Sequence, residues 1–258
     1  MKIPPSLLLL LFVATAVMAD SFVHSQGLID QPSASSPPDQ IRIATCQFPV
    51  SGNISENAEW IRRQMREAHD QHADAAHFSE VALSGYAGVD RPNMSDYDWE
   101  LHDREFRSVL DLAKQLKLWV VLGSAHRLSG DHKPHNSLYV INDLGDVVDR
   151  YDKRFCTNGD LKYYSPGDHF VTFDIGKVRC GLLICYDIRF PELYRQYSKL
   201  ETQVIFHSFH NARQKPGAIH PKIMPPTAQA RAATNGMFLS VNNSSAARSW
   251  PSIFVTPD

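Results

Sequence analysis

Three polar residues stand where apolar runs stop: Glu80 after AAHFS, Lys153 after VVDRYD and Cys185 after CGLLI. The ends of strands in layered α/β proteins are where side chains converge on a cleft, so a carboxylate, an amine and a thiol at such positions form a candidate site. Each residue alone has an ordinary reading, as a cap, a solvated surface lysine or buried apolar filling. Cys185 carries more than that. It lies a few residues ahead of a helix opened by Pro191, whose backbone N–H groups and positive end favour a thiolate or an anion formed beside it. A thiolate is the attacking form of cysteine, and a neighbouring carboxylate can take the thiol proton as general base.

The elements that must position these residues can be read from periodicity. IRIATCQF alternates, which predicts a strand over 41–47. Ala58, Ile61, Met65 and Ala68 recur at helical spacing, with Ser55 as the expected cap. DAAHFSE reads as a short strand ending at Glu80, residues 103–117 as a second amphipathic helix, and LWVVLGSAHRL as a strongly apolar strand. Two β-rich runs flank NDLGD, predicting a hairpin with Gly145 in its turn. Strands are expected near 170–174 and over 177–185, a helix over 191–200 and a strand in TQVIFHSF. A helix opened by its prolines follows in PPTAQARAATNG, then strands in MFLSVNNSS and SIFVTPD. Strands interleaved with helices, some buried and others in hairpins, indicate an α/β layered domain with mixed sheet.

Composition narrows the function classes. At 258 residues, with 43% hydrophobic and 21% charged residues, the chain can bury one substantial core. A formal net charge of -2 supplies no basic footprint for nucleic acid, so small-molecule chemistry is the expected activity. Residues 1–19 read as a secretory signal, with Lys2 ahead of an apolar run, and residues 20–40 as a flexible leader or linker. The folded domain then spans 41–258, in a secreted or periplasmic protein; the alternative is a mis-assigned start ahead of a cytoplasmic one. The signal run is too short for a membrane crossing.

Cys46, Cys156, Cys180 and Cys185 form no dense disulfide framework, and Cys180 and Cys185 fall on opposite faces of one expected strand. HSFH (His207, His210) and HKPH (His132, His135) have ligand-like spacing but no accompanying cysteine or carboxylate pattern, so solvated loop histidines are expected. There is no serine elbow and no phosphate-cradling glycine loop. Sequons at Asn53, Asn93, Asn242 and Asn243 matter only in a glycosylating compartment.

HADAAHFSEVALSGY, DRYDKRF and GLLICYDIRFPELYR resemble, in that order, the three signature segments of the nitrilase superfamily, also called carbon-nitrogen hydrolases. IRIATCQF is similar to that family's first strand and AQARAATNGMFLSVNN to its late helix and strand, so the resemblance covers roughly 41–258. It implies a four-layer α-β-β-α sandwich and a catalytic set of Glu80, Lys153 and Cys185. The thiol would attack an amide carbonyl, Glu80 would move the proton, and Lys153 with the backbone N–H of Tyr186 would hold the oxyanion.

Tyr186-Asp187 after the cysteine, where nitrile-attacking members carry Trp-Glu, looks more like the omega-amidase and related amidase branches. Asp160 is the only acid between Lys153 and Pro166, and stands in for a second glutamate of many members. Arg189 is expected to brace the turn through Asp187 in preference to meeting a substrate carboxylate. The resemblance implies no metal and no cofactor, a small-molecule amide as partner, and a homodimer or higher homo-oligomer with the 191–200 helix as a contact face. Relatives continue beyond the equivalent of SIFVTPD, so a shortened C-terminal end is expected. The alternatives are a nitrile or N-carbamoyl hydrolase with the same three residues, and a non-catalytic relative acting as an interaction protein.

Overall fold

Strand alternation decides the layers. In β2 (Ile41–Cys46) the side chains of Ile41 and Ile43 enter one core while Ala44 and Cys46 enter another. In β5 (His135–Ile141) Leu138 and Val140 face the first of these cores, and Tyr139 and Ile141 the second. A sheet apolar on both faces must be covered on both, and here one cover is helical and the other a second sheet.

The computed structural model describes residues 10–14 and 39–258. Apart from those at 10–14 and 39–40, the expected signal and linker lie outside the described residues. The first sheet takes β1 (Leu10–Ala14), β2, β3 (Ala75–Phe78), β4 (Trp119–His126), β5 and β6 (Val147–Asp152) in that order. Strands β2, β3 and β4 are parallel, and β1, β5 and β6 pair antiparallel. The second sheet runs β11 (Ile253–Val255), β10 (Phe238–Asn243), β9 (Val204–Phe209), β8 (Val178–Ile184), β7 (Thr172–Ile175), with β8, β9 and β10 parallel and both edges antiparallel.

Parallel neighbours need crossovers, and helices supply them. Helices α1 (Ile54–Asp70) and α2 (Trp99–Leu116) share a core with the first sheet through residues such as Ile61, Met65, Val109 and Leu112. Helices α3 (Pro191–Lys199) and α4 (His220–Asn235) join the second sheet's core through Tyr194, Tyr197, Ala228 and Ala232. Between the sheets, Trp119 stacks on Phe173 and His77 meets Phe206 edge-on, at 6.0 and 5.2 Å between centroids. The fold is the four-layer α-β-β-α sandwich.

Local boundaries depart from the periodicity reading where capping decides them. Asn53, not Ser55, caps α1, its side chain accepting from Glu56 N–H at 3.2 Å. Asp98 caps α2 through Leu101 N–H and starts that helix ahead of residue 103. Helix α4 begins at His220, so Pro225 and Pro226 lie inside it. The hairpin turn holds Gly145 at φ 81°, a conformation that only glycine adopts without strain. Asn242 and Asn243 are buried and closed to glycosylation in this fold, whereas Asn53 and Asn93 are exposed.

Candidate active site

Four chain segments end at the same edge of the sandwich. Glu80 follows β3, Lys153 follows β6, Cys185 follows β8 and Asn211 follows β9. The Glu80 N–H donates to the Phe209 carbonyl at 3.3 Å, which ties the two sheets together at the site itself. Gly123 on β4 makes this turn possible, because a Cβ there would lie 2.0 Å from the Ser79 carbonyl oxygen. Val81, next along the chain, is held at φ 49°, a costly conformation for a β-branched residue.

The Lys153 ammonium is fully buried and sits between two carboxylates, 2.7 Å from Glu80 Oε1 and 3.0 Å from Asp160 Oδ2. Asn136 Nδ2 donates to the same Glu80 oxygen at 2.8 Å, while Glu80 Oε2 has no hydrogen-bond partner among the described residues. Asp160 also accepts from Thr157 N–H at 2.8 Å and, through a short contact, from Tyr86 OH. Burial alone would lower the Lys153 pKa, but Glu80, with Tyr86, Cys185 and Asp160, outweighs it and holds the ammonium charged. Burial likewise opposes ionisation of Asp160, and Lys153 with the Tyr86 and Thr157 donors overcomes it, so the carboxylate stays below its ordinary range.

Cys185 lies just beyond β8, at the start of a 3-10 helix over Cys185–Arg189, with φ 43°. It is therefore on a turn and not on the strand with Cys180. Burial raises the thiol well above its usual value, and Glu80 adds to this; Lys153 and a hydrogen bond from Asn211 pull the other way. The resting group is a thiol, so attack requires a base. Asp187 locks the turn, accepting from Ile184 N–H at 3.0 Å, Phe155 N–H at 3.0 Å and Tyr151 OH at 2.9 Å.

A cavity of ≈ 360 Å³ opens on this edge, lined among others by Tyr86, Lys153, Asp160, Cys185, Tyr186 and Asn211. Glu80, Lys153, Cys185 and Asp160 thus converge, and Tyr186 follows the thiol in the first turn of the 3-10 helix. Arg189 does not brace Asp187. Asp187 is turned to backbone donors instead, and Arg189 is exposed, over the Tyr186 ring at 5.5 Å, where it joins the lining of the cavity.

The loop-histidine expectation holds for exposed His132 but fails for His207 and His210, which are buried. His207 Nδ1 lies 2.6 Å from Tyr194 OH, and His210 Nε2 lies 2.7 Å from Asp90 Oδ2. Asn136, Tyr86 and Asn211 escaped the sequence reading. The strand-end rule that selected Cys185 would have selected Asn211 after HSFH, and Asn136 is a buried polar residue near the start of β5, ahead of the apolar run LYVI.

The carbon-nitrogen hydrolase family profile matches residues 42–251, and the chain belongs to that family. A glutamine-dependent NAD(+) synthetase from Acinetobacter baylyi is 31% identical, over 64% of this chain and 30% of that protein. An omega-amidase from Homo sapiens is 28% identical, over 64% of this chain and 62% of the relative. The chain thus spans less than two thirds of the length of either relative. A solved structure of the amidase from Nesterenkonia sp. AN1, bearing acrylamide added at the active site cysteine, shares the fold. Its TM-score is 0.74 at 21% identity, over 84% of this chain and 85% of that one.

Proposed function

We propose that the protein hydrolyses the C–N bond of a small linear amide, with Cys185 as nucleophile. Glu80 takes the thiol proton as sulfur attacks the amide carbonyl. Negative charge on the carbonyl oxygen is held by Lys153 and by the Tyr186 N–H, one of the N–H groups a helix start leaves without an intrahelical partner. Glu80 returns the proton to the leaving nitrogen, the C–N bond breaks, and ammonia or an amine departs from a thioester. Water, deprotonated by Glu80, attacks that thioester; the carboxylic acid leaves and the thiol is restored. Asp160 is a positioning residue that holds the Lys153 ammonium as a second carboxylate beside Glu80.

The observation that carries this reading is the buried Lys153 ammonium clamped by two carboxylates at the wall of the cavity that Cys185 lines. It supplies a fixed positive charge where an oxyanion forms, and no water has to reorganise around it. Preference for amides over nitriles rests on Tyr186-Asp187 and on relatives named as amidases. The test offers an amide, a nitrile and an N-carbamoyl compound, with ammonia and carbon dioxide followed separately. Ammonia from the amide by the wild type, with none from Cys185→Ala, is the expected result. Carbon dioxide release would move the assignment to carbamoyl compounds. Turnover that survives in Cys185→Ala would exclude the mechanism.

A further inference from the structure

An indole N–H can only donate, so whatever oxygen it meets is an acceptor. Trp250 Nε1 lies 3.2 Å from Asn211 Oδ1, which assigns the oxygen end of that amide by chemistry. The other end, Nδ2, is thereby turned to Cys185 Sγ at 3.4 Å. Asn211 is anchored further by its own N–H, which donates to Asn243 Oδ1 at 2.8 Å. Asn243 Nδ2 returns to the Trp250 carbonyl at 2.9 Å, and Asn243 N–H donates to Ser252 Oγ at 3.0 Å. Asn211, Asn243, Trp250 and Ser252 are all buried, and the Trp250 ring packs edge-on against Phe209 at 5.1 Å. The end of β9, the end of β10 and the segment leading to β11 therefore form one closed network whose remaining amide donor meets the sulfur.

On the reading of Cys185 as nucleophile, we propose that Asn211 is a catalytic residue that stabilises the attacking sulfur anion. Trp250 is the positioning residue that keeps the Asn211 amide turned toward it. A donor to sulfur favours the charged form over the neutral thiol. That help is needed here, since burial and the Glu80 charge both oppose ionisation of Cys185. Lys153, the other group drawing the thiol down, is already shared between two carboxylates. The amide carries no net charge, so it favours the anion without drawing Glu80 away from the Lys153 ammonium.

The test is the rate of iodoacetamide alkylation at Cys185, read by peptide mass against pH in the full-length chain, with circular dichroism as the check on folding. Asn211→Asp keeps the size and the acceptor for Trp250 but replaces the donor with an oxygen. Its alkylation rate at each pH below the thiol midpoint should fall roughly tenfold or more, equivalent to a rise of about one pH unit in that midpoint. Asn211→Ala, which adds no charge, should shift in the same direction by less and covers the case in which the aspartate variant does not fold. Trp250→Phe keeps an aromatic ring and removes the indole donor; a smaller rise is expected, with kcat on an amide falling more than KM changes.

Folded Asn211 variants whose profiles overlay the wild type would overturn the inference while leaving the nucleophile assignment intact. An unchanged profile in Trp250→Phe beside a shifted one in Asn211→Ala would overturn the part assigned to Trp250. Amide turnover retained by Cys185→Ala would overturn both the nucleophile and this inference.

Discussion

His77, on β3, and Glu80, two residues beyond its end, are both buried, yet they are satisfied differently. His77 commits Nδ1 to Ser240 Oγ and Nε2 to Ser208 Oγ, each at 2.8 Å, and Ser208 Oγ in turn donates to the Phe78 carbonyl. Asn242 Nδ2 closes the same seam by donating to the Cys46 carbonyl at 3.0 Å and, by a shorter contact, to that of His77. Glu80 accepts from Lys153 and Asn136 through one oxygen and leaves the other without a partner among the described residues. The seam is neutral and its histidine uses both ring nitrogens. The cluster is charged and incomplete, which is the state a proton acceptor requires.

That contrast separates a seam that holds two sheets in register from a cluster whose open acceptor is the one the proposed hydrolysis uses. Buried polar groups that are fully paired rigidify a fold, while an unpaired one is costly and persists where it is used. The seam also bears on the site. His77 lies on β3 and Glu80 just beyond its end, Ser208 lies on β9 and Cys185 just beyond the neighbouring β8, so the separation of the two sheets bears on how near the Glu80 charge lies to the thiol.

The largest effect is expected from Lys153→Met. Removing the cation leaves two buried carboxylates facing each other, so stability should fall by about 3–5 kcal/mol in denaturant titrations at pH 8. Turnover of an amide should fall by at least about 10²–10³-fold, as for loss of an oxyanion donor. Retained stability would show that the charged cluster is no more coupled than the neutral seam. The next effect is that of His77→Leu, which strands the Ser240 hydroxyl and should cost about 1–3 kcal/mol. Its turnover per folded molecule should stay within about tenfold of wild type, well above the oxyanion-donor loss. A drop as deep as that of Lys153→Met would erase the distinction between the two regions.

A smaller effect separates the two by pH. Burial pushes the His77 pKa down to about 3, below its unfolded value, so its contribution to stability is present above pH 6.5 and is lost as pH falls. Burial, against the Ile184, Phe155 and Tyr151 donors, pushes Asp187, two residues from Cys185, up to about 6, so its contribution is present below pH 3.8 and is lost as pH rises through 6. The slopes oppose each other between pH 4 and 6. Stability measured across that window should fall less steeply on acidification in His77→Leu than in wild type, and more steeply in Asp187→Asn. Parallel curves for all three proteins would remove the electrostatic part of the comparison.

Much of the architecture was legible because its signals are local. Period two in IRIATC and period 3.6 through Ala58, Ile61, Met65 and Ala68 report burial by near neighbours, and those elements stand where the periodicity places them. Boundaries were less legible, because a side chain reaching three residues along the chain sets them, as Asn53 and Asp98 do. The histidines of HSFH misled for a related reason. Spacing says nothing about what a partner element brings, and Tyr194 and Asp90 come from other parts of the chain. Arg189 and Asp187 are close in sequence, yet Asp187 is buried on its donors while Arg189 is exposed at the cavity.

By itself, the sequence determined the order of strands and helices, the apolar faces that force a layered sandwich, and the polar residues Glu80, Lys153 and Cys185 at strand ends. Only the tertiary structure decided that Asp160 and Asn136 complete the grip on Lys153 and Glu80, and that Asn211, turned by Trp250, meets the sulfur. The reason is geometric. Periodicity encodes which face of an element is buried, whereas a site made by several strand ends depends on the crossing of two sheets, which no single stretch of chain contains.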